Sequence, residues 1–163
     1  MTIVKNGTTV IGAAGENSEI VSGLQGKFKI VLNGTFSGTF KVLKRYKDQK
    51  TVATQDGGDT QAAFTDSTMT AYAIDELIGA WIGNDDTGSF GPITDNTATV
   101  VTATQIGGTD QTWDDDETAS FWEEIASYTT AQYVEIEEPE AGCDYIVICS
   151  AYSSGKARVR ISQ

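Results

Sequence analysis

The chain has 163 residues, a formal net charge of −12, no histidine, two cysteines and two prolines. That length suits one domain with a sizeable core, and so acidic a chain repels phosphate, which argues against nucleic acid as a partner. No apolar run approaches the roughly 18 residues of a membrane helix, the opening MTIVKNGTTV lacks the apolar stretch of a signal peptide, and without histidine the commonest general base is missing.

Charge is laid out in blocks. All eleven basic residues lie in the first fifty positions or the last eight, and nothing basic stands between Lys50 and Lys156. The three segments carry about +5, −20 and +3 at neutral pH. Both ends are strand-like and basic, which predicts that they pair in space as one module with the acidic middle inserted or folded over it.

Residues 1–26 are rich in Gly, Asn, Ser and Thr and read as an extended arm with one edge strand near Thr9–Ile11. Its Ile3, Val4, Val10 and Ile11 would gain burial against a neighbouring protein. A β-sandwich domain is expected over 27–163, with an acidic insertion around 55–117. Lys27–Leu32 alternates, with Phe28, Ile30 and Leu32 on one face and Lys27 and Lys29 on the other. Asn33-Gly34 is a turn signal, and Gly38–Tyr46 is the return strand, with Phe40 and Val42 inward. Leu43 breaks the alternation, so that strand is either covered on both sides or bulged. Lys47–Lys50 reads as a turn, Thr51–Thr54 as a third strand and Gln55–Asp59 as a loop.

Within the insertion, Thr60–Thr65 and Thr68–Ile74 read as strands. Asp75–Gly83 fits a helical turn or a buried strand equally well. Asn84–Ser89 and Gly91-Pro92 are turns, Thr97–Ile106 is a β-branched strand, and Gly107–Glu117 is an acidic loop around Trp113. Ala119–Tyr128 fits either period and is assigned as strand. Gln132–Ile136 is a strand ending in the turn Glu137–Gly142. Cys143–Ala151 is the clearest strand, with Tyr145 and Val147 inward. Ser153–Gly155 is a tight turn. Ala157–Ile161 closes the fold, with Val159 and Ile161 inward and Arg158 and Arg160 outward. Short strands at regular spacing give the fold class: all-β, an antiparallel β-sandwich or jelly roll.

No G-x-S-x-G elbow, Walker A loop or Rossmann fingerprint occurs, so the chain reads as non-enzymatic, without cofactor or metal. Cys143 and Cys149 share a strand face about 20 Å apart, too far for a disulfide, and read as reduced core residues. The clusters Asn84-Asp85-Asp86 and Asp114-Asp115-Asp116-Glu117 lack calcium-loop spacing and read as solvated loops. Trp81 and Trp122 sit among apolar neighbours and belong to the core. The three tryptophans together are the candidates for a sugar-stacking platform, and Trp113, between Thr112 and Asp114, is the one expected to be partly exposed. The outward residues Lys27, Lys29, Arg158 and Arg160 form a basic face if the first and last strands share a sheet, suited either to solubility or to docking on an acidic surface.

Two segments, KFKIVLNGTFSGTFKVLKRYKD (Lys27–Asp48) and EEPEAGCDYIVICSAYSSGKARVRISQ (Glu137–Gln163), together resemble a recurring type of small bacteriophage virion protein. The shared elements are an apolar strand, T-F-S-G-T-F, an E-P-E-x-G turn, a Tyr-bearing strand and a V-R-I-S-Q ending. The resemblance covers under a third of the chain and brings no catalytic residues. It implies a compact β-sandwich in a virion, most often a capsid decoration (cement) protein that binds the head. Its partners would be the major capsid protein or another virion protein, and further copies of itself, a trimer being favoured. The location would be the virion, assembled in the host cytoplasm. A neck or tail accessory, or a carbohydrate- or receptor-binding tip, is the alternative.

Overall fold

The computed structural model describes residues 6–45, 53–69 and 72–163. Ile3, Val4, Tyr46, the Lys47–Lys50 turn and Thr51 lie outside them. The described residues form nine antiparallel strands and no helix, so the fold is all-β and sheet-based as expected. The chain divides into two compact units, Met1–Asp48 with Glu124–Gln163, and Gln49–Glu123. The second contains residues 55–117, the stretch read as acidic in the sequence, within wider limits.

The first unit is built on two long strands, β2 (Val21–Arg45) and β9 (Gln132–Ser162), that pair with each other twice. Gly26–Leu32 of β2 runs antiparallel to Gln132–Glu138, while Lys29–Arg45 runs antiparallel to Asp144–Ser162. Lys29 to Leu32 therefore have β9 on both sides. Strand β1 (Asn6–Ile11) lies along the other edge of Ala157–Ser162. The later part of β8 (Thr118–Tyr128) follows β2 in the strand order and packs Ile125, Ala126 and Tyr128 on the same core.

Two expected turns are bends in continuous strands. Gly34 pairs with Ala157 and Phe36 with Gly155, well inside the ladder. Gly34 has φ 120° and Gly155 φ 90°. A Cβ would stand 2.3 Å from the Lys156 carbonyl oxygen at Gly34, and 2.0 Å from that of Thr35 at Gly155. Glycine is required there for close backbone approach between bending strands, and a bend has the same residue signature as a turn. The Glu137–Gly142 segment is likewise absorbed into β9: Glu138 pairs with Gly26, Cys143 with Leu24, and the ladder shifts register between them.

The edge strand expected near Thr9–Ile11 is present as β1, beginning at Asn6, and the rest of the expected arm also packs on the sheet. The amides of Gly15 and Ser18 donate to the carbonyls of Cys149 and Val147, and the Val147 amide donates to the Ser18 hydroxyl. Ile11, Val21 and Leu24 enter the core. Polar composition misled here because the segment buries only its alternate apolar residues. All nine residues expected in the core, Phe28, Ile30, Leu32, Phe40, Val42, Tyr145, Val147, Val159 and Ile161, are at most 2% exposed. Leu43, with Ile146 opposite it, is buried too, so this stretch is covered on both faces.

The second unit orders its strands β8-β5-β6-β7-β4, with β3 (Ala53–Thr54) also on β8. The others are β4 (Phe64–Thr65), β5 (Trp81–Asn84), β6 (Phe90–Asn96) and β7 (Val100–Ala103). They enclose a second core that includes Phe64, Ile82, Ile93, Val101 and Trp113. Expected strands shrink here. Thr60–Thr65 keeps only its last two residues, Thr97–Ile106 only Val100–Ala103, and the described part of Thr68–Ile74 is turn and bend. Asp75–Gly83 is a series of turns up to Gly79 with strand from Trp81, while Gly91-Pro92 lies inside β6. Side chains competing for backbone groups explain the shortening. Asp66 accepts from the amides of Thr54 and Thr68, and the Thr97 hydroxyl accepts from those of Thr99 and Val100.

Candidate interaction face

In the first unit, residues of one parity face the core and their neighbours face out. The ladder places Thr8, Arg160, Val31 and Tyr133 on one rung across four strand segments, and Val10, Arg158 and Asn33 on the next. On the other side of the first rung, Ser162, Lys29 and Glu135 are opposite one another, and Lys27 faces Glu137. The structure therefore brings Lys27, Lys29, Arg158 and Arg160 to one exposed sheet face, together with Val10 at 53% exposure and Tyr133 at 66%.

A groove of about 390 Å³ runs over Lys27, Lys29, Val31, Tyr133 and Arg160. A second depression of about 330 Å³ shares Val31 and Arg160 with it and extends to Thr8 and Arg158. The Lys29 ammonium stands 5.7 Å from the centre of the Tyr133 ring, and hydrogen bonding with Tyr133 holds its pKa above the ordinary lysine value. Lys27 Nζ lies 3.6 Å from Glu135 Oε1, with both side chains well exposed, so water screens that pair to little net energy. Lys29 and Arg160 set beside Val31 and the Tyr133 ring, with Glu135 paired to Lys27, are chemically suited to an acidic surface that also carries aliphatic groups.

Ile11 does not join this face: it has the opposite parity to Val10 and is completely buried. Ile3 and Val4 are outside the described residues. Val31 and Tyr133 are the contributors that sequence reasoning missed. Tyr133 had a legible signal, since Val134 and Ile136 alternate with it.

The first unit also holds a buried polar cluster. Lys44 Nζ is 2.7 Å from Glu138 Oε2, the side chains being 11% and 2% exposed. The Tyr145 hydroxyl donates to the same carboxylate oxygen, and the Glu140 amide donates to Oε1 at 3.0 Å. Burial works to raise the Glu138 pKa, but the hydrogen bonds from Lys44, Tyr145 and the Glu140 backbone outweigh it and leave the carboxyl below its ordinary value. Alongside, Arg45 Nη2 and Nε approach Asp144 Oδ2 at 3.0 and 3.3 Å. These charges satisfy one another and hold β2 to β9. Burial, with the Glu138 charge, pushes the Cys143 thiol up to about 11, and burial raises Cys149 also. Both thiols are free and protonated at neutral pH, hence poor nucleophiles.

The acidic clusters of the second unit close loops. Asp86 Oδ2 accepts from the Thr118 amide and hydroxyl, Asp85 Oδ1 from the Ser120 hydroxyl, and Asp114 Oδ1 from the Thr60 amide. Glu117 Oε2 accepts from Asn84 Nδ2 and the Asp114 amide. Among the described residues, no three or more Asp, Glu, Cys or His side chains are grouped to hold a metal ion. Trp113 is 1% exposed, against the expectation of partial exposure. Its amide and carbonyl both bond Gln61, drawing the loop over the core, and its ring meets Phe64 edge-on at 4.8 Å. Trp81 and Trp122 are buried as expected.

No family model, curated protein or solved structure matches this chain.

Proposed function

We propose that the protein is a non-enzymatic virion structural protein, a capsid decoration protein that docks on the phage head and associates with its own copies. The observation that supports this most is the exposed sheet face on which Val10, Val31 and Tyr133 lie among Lys27, Lys29, Arg158 and Arg160. A firmly hydrogen-bonded sheet loses little conformational entropy on docking, and weak contacts repeated by particle symmetry add to a large avidity. The resemblance of Lys27–Asp48 and Glu137–Gln163 to virion proteins supplies the setting. A neck or tail position would use the same face. A sugar-binding tip built on tryptophan stacking is disfavoured, because all three tryptophans are buried.

The test is co-sedimentation with shells lacking the protein, followed by low-resolution imaging of particles with and without it. Wild type is expected to saturate the particle at low salt, and the Arg158→Glu/Arg160→Glu variant to lose binding at least tenfold. Full occupancy by that variant, or no association of wild type with heads or tails, would overturn the reading.

A further inference from the structure

The loop from Tyr72 to Ala80 in the second unit exposes two aliphatic side chains, Ile74 at 71% and Ile78 at 51%. It is pinned rather than slack. The amides of Asp75 and Leu77 donate to the Asn96 carbonyl and side-chain oxygen at 3.0 and 2.8 Å, and Asn96 Nδ2 donates to the Ala73 carbonyl at 2.9 Å. Asn96 is 1% exposed, and Leu77 anchors the loop in the core beneath. Asp75 itself has φ 64°, a left-handed conformation that a non-glycine residue adopts at a cost of about 1 kcal/mol or more. The fold thus uses a strained backbone and a buried asparagine to present two isoleucines to solvent, with Asp75 and Glu76 between them. Exposure of this kind gives the isolated chain nothing, whereas preorganised apolar groups favour binding.

A complementary surface exists on the same chain. The groove is lined by Val31 and Tyr133 together with Lys27, Lys29 and Arg160, and its one carboxylate side chain, Glu135, is paired with Lys27. Charge is divided in the same sense: the first unit holds ten basic and nine acidic residues, the second one basic and fourteen acidic. We infer that copies of this chain associate head to tail, the Ile74–Ile78 loop of one copy seated in the Lys29–Tyr133–Arg160 groove of the next. The isoleucines cover Val31, the Tyr133 ring and the lysine stems, while Asp75 and Glu76 meet the surrounding cations. Because the two patches differ, the contact is heterologous and builds a ring if its rotation closes or an open chain if it does not. The inference rests on the proposed reading of this face as an assembly surface and names a second copy as the occupant of its Lys29–Tyr133–Arg160 groove, leaving Val10 and Arg158 on the adjoining rung to contact the shell.

Sedimentation of the purified full chain without particles tests it. Wild type is expected to form oligomers that weaken as salt rises. Two variants change only exposed side chains: Ile74→Ser/Ile78→Ser removes the loop's apolar groups, and Tyr133→Ala/Arg160→Glu spoils the groove. Each alone should be monomeric with an unchanged β-type circular dichroism spectrum. Mixed, they should form a dimer and no larger species, since one good loop and one good groove remain. If either variant fails to fold, the charge-swapped pair Asp75→Lys and Lys29→Glu replaces it, with association expected only in the mixture. A monomeric wild type, a variant that associates as wild type does, or a mixture that stays monomeric would overturn the inference. Binding to shells by a chain that never self-associates would leave the virion reading standing and this one refuted. Self-association without particle binding would do the reverse.

Discussion

Glu138 holds its charge at 1% exposure through the Lys44 ammonium, the Tyr145 hydroxyl and a backbone amide. Removing the cation strands the carboxylate, so Lys44→Met should cost about 3–5 kcal/mol. The double variant Lys44→Met/Glu138→Gln should cost clearly less than the sum of the single changes, as urea unfolding would measure. The pH dependence follows from direction. The folded Glu138 pKa lies below its ordinary value, and so does that of Asp66, where the Thr68 hydroxyl and backbone amides overcome the effect of burial. The stability each contributes is fully present above the unfolded pKa and is lost as pH falls through the folded one. Stability should therefore hold near neutrality and decline below about pH 4, with a shallower decline in Glu138→Gln. An identical acid limb in that variant would remove Glu138 from the account. This cluster was not legible in the sequence, because Lys44 and Glu138 are 94 positions apart and meet only when β2 bends along β9.

At the level of elements, the double pairing of β2 and β9 depends on points where two backbones nearly touch. Gly155→Ala would set a methyl group against the Thr35 carbonyl in a backbone already at φ 90°. The neighbouring atoms are main chain and cannot swing aside, so a loss of about 3 kcal/mol or more is expected from clash and strain together. Ser154→Ala, at an exposed position one residue earlier, should change stability by less than about 0.5 kcal/mol. Equal melting temperatures for the two variants would show that the bend tolerates a side chain. On the inner face, Val147→Ala and Ile161→Ala each remove fully buried volume and should cost roughly 2–4 kcal/mol. Alternation marked these residues correctly, because a half-buried strand imposes period two on the sequence whether it turns or bends. What alternation lacks is any signal that separates Asn33-Gly34 in a hairpin from Asn33-Gly34 in a bent strand, since both need glycine for the same steric reason.

Across the whole molecule, charge is the dominant asymmetry. Fourteen acids against one base give the second unit strong self-repulsion, which salt screens over a Debye length of about 10 Å at 0.1 M. All three tryptophans belong to that unit, so indole fluorescence follows chiefly its unfolding. Raising the salt concentration should raise the midpoint of the fluorescence transition more than that of a probe confined to the first unit, whose ten basic and nine acidic residues nearly balance. A fluorescence midpoint that stays fixed or falls with salt would show that the acids are neutralised locally by the amides and hydroxyls they accept from.

The sequence by itself determined the all-β class and the inward and outward faces of the two end segments. Both are written in local alternation, which survives without knowledge of the partner strand. Only the tertiary structure decided where the arm's edge strand pairs and that the rest of the arm packs on the sheet, that Trp113 is core, and that Val31 and Tyr133 complete the basic face. Those outcomes depend on which segment lies alongside: the Asn6–Ile11 edge on Ala157–Ser162, Gln61 on Trp113, and Lys29–Leu32 between two stretches of β9. Pairings over such long separations are set by the register of bent strands, and a bent strand leaves no mark in the sequence beyond a glycine that reads equally well as a turn.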